Sequence, residues 1–141
     1  MKISTKGRYA LRMMLDIAQH QSDGFVTLKD IAGRQAISKK YLEQIALQLS
    51  QANVLRAVRG HQGGYRLVRE PASYTVLEIL SIAEGSLAPV ACMDQQPNLC
   101  ERKDICLTLP LWAGLDRLIR DYLGGVTLQD LLDGKIPSSE S

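Results

Sequence analysis

Aromatic side chains are scarce in this 141-residue chain, which has one Trp, one Phe and five Tyr. No apolar run approaches the ~20 residues that a membrane-spanning helix needs. The start, MKISTKGRYALRMM, lacks the apolar stretch and small-residue cleavage site of a secretory signal. Histidine occurs twice, at His20 and His61, far apart in the sequence. There is no nucleophile–His–acid set, no Gly-rich nucleotide loop after a strand and no C-x-x-C. These absences argue against a membrane protein, a secreted protein and an enzyme. A reducing cytoplasm is the expected location.

Cysteine is scarce too, but it is not scattered. Cys92, Cys100 and Cys106 are the only three, spaced C-x7-C-x5-C. An odd count does not pair off within one chain, and disulfide frameworks belong to small secreted domains. The segment that carries the three is too polar for a core element. Thiolates gathered over fifteen residues are typical ligands for zinc or an iron–sulfur cluster.

The net charge of +2 hides an asymmetry. Residues 1–72 hold twelve Lys and Arg against five Asp and Glu, a net +7. Residues 73–141 hold five against ten, a net −5. A basic half joined to an acidic half points the first towards a polyanion.

Helix starts are well marked. Thr27-x-x-Asp30, Thr75-x-x-Glu78 and Thr127-x-x-Asp130 each place an N-cap Thr three residues before an acid. Apolar residues flank each of them at staple positions. Ala10, Met14, Ile17 and Ala18 predict a first helix from about Thr5 to His20. Ser38 opens another, with Tyr41, Leu42, Ile45 and Leu49 on one face. Val54–Arg59 and Tyr65–Arg69 are β-prone and flank Gly60-His61-Gln62-Gly63-Gly64, a hairpin with a wide tip. Thr108–Leu123 carries an apolar stripe of Leu111, Leu115, Leu118, Ile119 and Tyr122, with Pro110 in its first turn and Gly124-Gly125 at its end.

The order helix, helix, short turn, helix, hairpin is that of a winged helix-turn-helix. The fold expected is mainly α with a small β-hairpin, followed by a long helix. Recognition helices present their N-terminal residues to the major groove. Here that end carries Ser38, Lys39, Lys40, Tyr41, Glu43 and Gln44. Lys suits phosphate or guanine, Gln suits adenine, and Glu accepts from cytosine. A carboxylate facing DNA is costly unless it reads a base, which makes Glu43 a specificity residue. Arg56, Arg59, Arg66 and Arg69 bracket the hairpin tip, and Arg59 is placed for minor-groove insertion. Gly60 and Gly63 let the backbone approach a phosphate, and His61 lies between them. Lys2, Lys6 and Arg8 are placed to add phosphate contacts from the first helix.

These residues together resemble the IscR/NsrR/CymR family of bacterial winged-helix transcription regulators, most of all its IscR-like members. The resemblance runs from Met1 to about Gly134. It rests on Ser4-Thr5-Lys6-Gly7-Arg8-Tyr9-Ala10, on Tyr41-Leu42-Glu43-Gln44, on Val58-Arg59-Gly60-x-x-Gly63-Gly64-Tyr65, and on Cys106-Leu107-Thr108 running into Leu111-Trp112. It implies a homodimer built on Thr108–Leu123 and a palindromic or pseudo-palindromic double-stranded DNA operator. It implies an iron–sulfur cluster on Cys92, Cys100 and Cys106, [2Fe–2S] more than [4Fe–4S], that senses cluster status, nitric oxide or redox stress. It divides the chain into a DNA-binding domain (1–72), a connecting helix and linker (73–91) and a cysteine loop (92–107). A dimerisation helix with a short C-terminal helix (108–134) and a flexible tail (135–141) complete it.

Two departures stand out. The first cysteine gap is two residues longer than the family's usual C-x5-C-x5-C. The His that follows the third cysteine by three residues in IscR-like chains is replaced by Leu109. Some relatives take an acid from the partner's first helix at the position of Arg8, and arginine does not ligate. Asp94, Glu101, Asp104 and Thr108 are the nearby oxygen donors, with solvent or a small thiol as alternatives. A cluster-free, CymR-like repressor with zinc-binding or redox-active thiols is the competing reading.

Overall fold

A computed structural model describes residues 2–60, 63–94 and 100–136. Helix α1 (Thr5–His20) runs through the middle of the core, with Ala10, Met13, Met14 and Ile17 fully buried. Helices α2 (Leu28–Gln35) and α3 (Lys39–Gln51) follow, then strands β1 (Leu55–Val58) and β2 (Gly64–Leu67), and helix α4 (Val76–Glu84). Helix α5 (Leu109–Gly124) stands after the cysteine segment, and a short α6 (Leu128–Asp133) closes the order. The architecture is the winged helix-turn-helix anticipated, mainly helical with one two-stranded antiparallel sheet.

The capping threonines act as expected. Thr27, Thr75 and Thr127 each accept from the backbone N–H three residues on. The reciprocal bond forms at Thr127, whose own N–H donates to Asp130. At Thr75 the matching acid, Glu78, is taken by Arg69 instead. Ser38 caps α3 through the Tyr41 N–H. Thr108 makes no side-chain cap, and α5 begins one residue later, with Pro110 in its first turn.

The hairpin is shorter than the β-prone runs, and Tyr74 explains why. Its ring is fully buried, and its hydroxyl accepts from the N–H groups of Val68 and Arg69 at 2.9 and 3.1 Å. It donates to the Val54 carbonyl at 2.9 Å. Those backbone groups would otherwise extend the ladder; one phenol ends both strands at once. Tyr74→Phe removes their shared partner and leaves the buried Val54 carbonyl without it, at a cost of about 2 kcal/mol. Urea unfolding of the variant should show the midpoint lowered with an unchanged slope.

The far end of the chain returns to this core. Val76 N–H donates to Val126 and Leu128 N–H to Tyr74, forming a bridge between Thr75 and Thr127. Leu128 is fully buried in the same cluster as α1. Helix α5 has no such burial. Leu123 and Leu77 pack at a small satellite cluster, but Leu111, Leu115, Leu118 and Tyr122 are 62, 37, 69 and 51% exposed. No residue of α5 is buried.

Candidate nucleic-acid interface and cysteine segment

The wing is stitched to the start of α2. Val26 and Tyr65 exchange both backbone hydrogen bonds at 2.8 Å. Gly64 passes so close that a Cβ there would lie 2.5 Å from the Val26 carbonyl oxygen, and its φ of +152° disfavours a side chain. At Gly63 a Cβ would overlap the Val58 carbonyl oxygen. Gly60, with φ of +118°, opens the tip and accepts from the Gly63 N–H. In strand register Arg56 faces Arg66 directly.

Between α3 and the wing lies an open groove of about 670 Å³. Lys39, Glu43 and Leu47 line one side, Arg59, Gly60 and Gly63 the other, and Lys29 sits at its end. Lys39, Glu43 and Arg59 are exposed, as are Lys40 and Gln44 beside them. None of these five side chains takes a hydrogen-bonding or ionic partner among the described residues. Arg66 and Arg69, by contrast, are engaged at the wing base. Arg66 lies 5.8 Å over the Phe25 ring, and Arg69 lies over Tyr74 and pairs with Glu78. The four wing arginines thus divide into two that hold the hairpin and two, Arg56 and Arg59, left to solvent.

Other residues singled out in the sequence have more specific places. Ser38 spends its side chain on the cap. Tyr41 is half-buried, its ring edge-on to Tyr9 at 5.6 Å, so the ring serves packing between α1 and α3. Lys2 and Arg8 are exposed and Lys6 partly so. The Tyr9–Tyr41 contact sets their end of α1 beside the first turn of α3. His61 lies outside the described residues.

Sequence reasoning missed the group that fixes this arrangement. Asp16, on the apolar stripe between Met13 and Ile17, is fully buried. Arg34 donates to both its oxygens, at 3.0 Å from Nε and 2.7 Å from Nη2, and Gln35 Nε2 donates at 2.9 Å. His20 Nδ1 lies 3.6 Å from Oδ1. A lone acid on an apolar helix face was the available signal. Burial raises the Asp16 pKa, but the hydrogen bonds from Arg34 and Gln35 outweigh it and hold the group below its ordinary value. A depressed carboxylate contributes stability above its unfolded value, ~3.9, and loses it as pH falls through the lower folded value. The melting-temperature difference between wild type and Asp16→Asn should therefore shrink as pH drops below ~4.

A second set of contacts joins the DNA-binding helices to the end of α4. The Ser4 N–H and hydroxyl both donate to Glu84, at 3.0 and 2.6 Å. A Cβ at Gly7 would meet that carboxylate, which would have to move away. Gln48 of α3 donates to the Ile82 carbonyl at 2.8 Å. Gly85, at φ of +82°, then turns the chain into the cysteine segment.

Cys92 lies in a short 3-10 turn, Ala91–Met93, and Cys100 opens the turns that lead to Cys106. All three are half-buried. The Thr108 hydroxyl, 3.3 Å from the Cys106 sulfur, helps hold that thiol below its ordinary pKa. The donor chemistry fits a thiolate-bound cluster: three thiols on one segment, one already biased towards its ionised form. The described residues do not form a ready-made shell, since no three His, Cys, Asp or Glu converge on a point. Asp94 is hydrogen-bonded to Ser86. No helix of the described residues is long and apolar enough to cross a membrane.

The family model described as "Rrf2: Iron-dependent Transcriptional regulator" matches residues 3–134. The chain belongs to the Rrf2 family. Rrf2 relatives include the HTH-type transcriptional regulator IscR of Xenorhabdus nematophila, 39% identical over 94% of this chain and 79% of that protein. The solved structure of T. potens IscR is 37% identical with a TM-score of 0.77, covering all of this chain and 93% of the other. CymR, the global cysteine regulator of B. subtilis, is 35% identical with a TM-score of 0.75, covering 95 and 98%. This Rrf2 protein is a DNA-binding transcription regulator, and its relatives are regulators, not enzymes.

Proposed function

We propose that two copies of this cytoplasmic chain pair through α5 and lay their α3 helices and wings on a palindromic or pseudo-palindromic operator. The observation that carries this reading is the groove between α3 and the wing, whose Lys39, Glu43 and Arg59 have no partner among the described residues. Lys39, Lys40, Glu43 and Gln44 read or flank the major groove. Arg59 enters the minor groove, with Gly60 and Gly63 allowing close approach, and His61 is a further candidate for DNA contact. Lys2, Lys6 and Arg8 contact phosphate. Like charges directly opposite in a hairpin are destabilising by themselves. Arg56, opposite Arg66 in the ladder and itself left to solvent, is therefore suited to a surface that lies under an anion.

Pairing is supported by the exposed apolar stripe of α5. Ile105 and Leu107, 66 and 95% exposed beside Cys106, extend the apolar surface towards the cysteine segment. Cys92, Cys100 and Cys106 would hold an iron–sulfur cluster, [2Fe–2S] before [4Fe–4S], with an oxygen, solvent or small-thiol fourth ligand. When bound, that group supplies a charge and a set of ligand bonds that depend on iron and redox state. The chain's own part is to gather three thiols at one end of α5 and to connect them, through Gly85 and Glu84, to the DNA-binding helices.

Anaerobic purification with absorbance and iron and sulfide analysis, alongside operator binding across a salt series, tests the reading. A coloured protein whose operator affinity changes on cluster loss, and falls steeply with salt, is the expected result. A protein that binds DNA but stays colourless after reconstitution removes the cluster part alone. The likeness to solved CymR structures and the lowered Cys106 pKa favour one second reading, regulation through the thiols themselves. Metal content separates the two.

A further inference from the structure

We propose that Asp16 is the positioning residue of the recognition helix, setting through Arg34, Gln35 and Arg12 the angle at which α3 meets DNA. It rests on the DNA-binding function but not on the cluster. Among the described residues Asp16 is the one buried charged side chain. It belongs to α1, yet all its side-chain donors sit on the last turn of α2: Arg34 through two nitrogens and Gln35 through its amide. Arg12, one turn before Asp16, donates to the Gln35 side-chain oxygen at 3.1 Å and to the Gln35 carbonyl. Arg12 also lies 5.2 Å over the Tyr9 ring, which packs on Tyr41 in the first turn of α3.

The connection from this cluster to α3 has almost no slack. Only Ala36, Ile37 and Ser38 separate Gln35 from Lys39. Ala36 holds a left-handed conformation at φ 55°, Ile37 is buried, and Ser38 is committed to its cap. Fixing the end of α2 therefore fixes the start of α3, where Lys39, Lys40, Glu43 and Gln44 lie. The fork of a guanidinium on a carboxylate is directional, whereas apolar contacts between the same helices tolerate rotation. A buried ion pair is weak evidence of stability, because desolvation offsets much of its attraction. Its contribution here is one defined orientation of the turn.

The test uses Asp16→Asn and Arg34→Lys in the full-length protein, at a temperature well below either variant's melting point. Arg34→Lys keeps both charges and removes only the fork. Operator and unrelated duplex are titrated in parallel over a salt series. The expected result is a loss of operator affinity of tenfold or more for Asp16→Asn and a smaller loss for Arg34→Lys. Affinity for unrelated duplex, and the slope of log affinity against log salt, should stay near wild type, because the phosphate contacts are intact. A purely structural role lowers the melting temperature but leaves the ratio of specific to non-specific affinity unchanged; that outcome in the folded variants overturns the proposal. If Asp16→Asn does not fold, the same ratio measured on Arg34→Lys decides it.

Discussion

Leu111→Glu combined with Leu118→Glu should give a folded monomer that has lost most of its operator affinity. These two are the most exposed apolar side chains of α5, at 62 and 69%. They touch no core of their own subunit, so subunit stability should move by no more than about 0.5 kcal/mol. Two carboxylates placed on the pairing surface must each lose water if the copies associate, and twofold symmetry doubles them to four across the interface. Once the dimer is lost, the second half-site no longer benefits from the first being bound. Linked sites typically gain about 10²–10⁴ in affinity from that effect, and a loss in this range is expected. Sedimentation gives the oligomeric state and fluorescence anisotropy the affinity. A variant that remains a dimer, or a monomer that binds the full operator as tightly as wild type, contradicts the pairing proposed for α5.

Gly64→Val should detach the wing. The backbone at this position has φ of +152° and runs against the Val26 carbonyl and the Thr27 nitrogen. Both obstacles are main chain, so no side-chain rotation relieves them. A β-branched residue at positive φ is itself strained. Strain and overlap together should cost about 3–5 kcal/mol, among the larger single-site effects. The paired bonds between Val26 and Tyr65 are the first to yield. Hydrogen exchange should then show loss of protection at Val26 and Tyr65, with α1 retaining its own. Operator binding should weaken and lose its minor-groove component. Gly60→Ala is the contrasting substitution: φ is positive there too, but nothing lies within 4 Å of a Cβ.

Local signals carried most of the secondary structure because each acts within four residues. Ser38 and the three capping threonines announced their helices, and the stripe from Leu111 to Tyr122 announced α5. The strand ends were not legible, since a phenol from another element, Tyr74, takes the backbone groups that would have continued the ladder. The division of the wing arginines was hidden for the same reason: Phe25, Tyr74 and Glu78 meet them only in the fold. Asp16 was visible as an acid on an apolar face, but its partners lie eighteen and nineteen residues on, and no spacing rule connects them. The cysteines were plain in the sequence. Their convergence is a property of three-dimensional placement, and among the described residues no three of His, Cys, Asp or Glu come together.

The bridge between Thr75 and Thr127 has a consequence for how such a protein changes over time. It clamps both ends of the excursion that holds the cysteine segment and α5, because Val76 and Leu128 are hydrogen-bonded into the core on either side. Closing a loop costs free energy that grows only as the logarithm of its length. Two extra residues in so long an excursion cost under about 0.1 kcal/mol. The longer gap between Cys92 and Cys100 is therefore nearly invisible to folding. Insertions and deletions can retune the geometry of the thiols while the DNA-reading half stays untouched, which makes this segment the cheapest place in the molecule for a new sensory chemistry to arise.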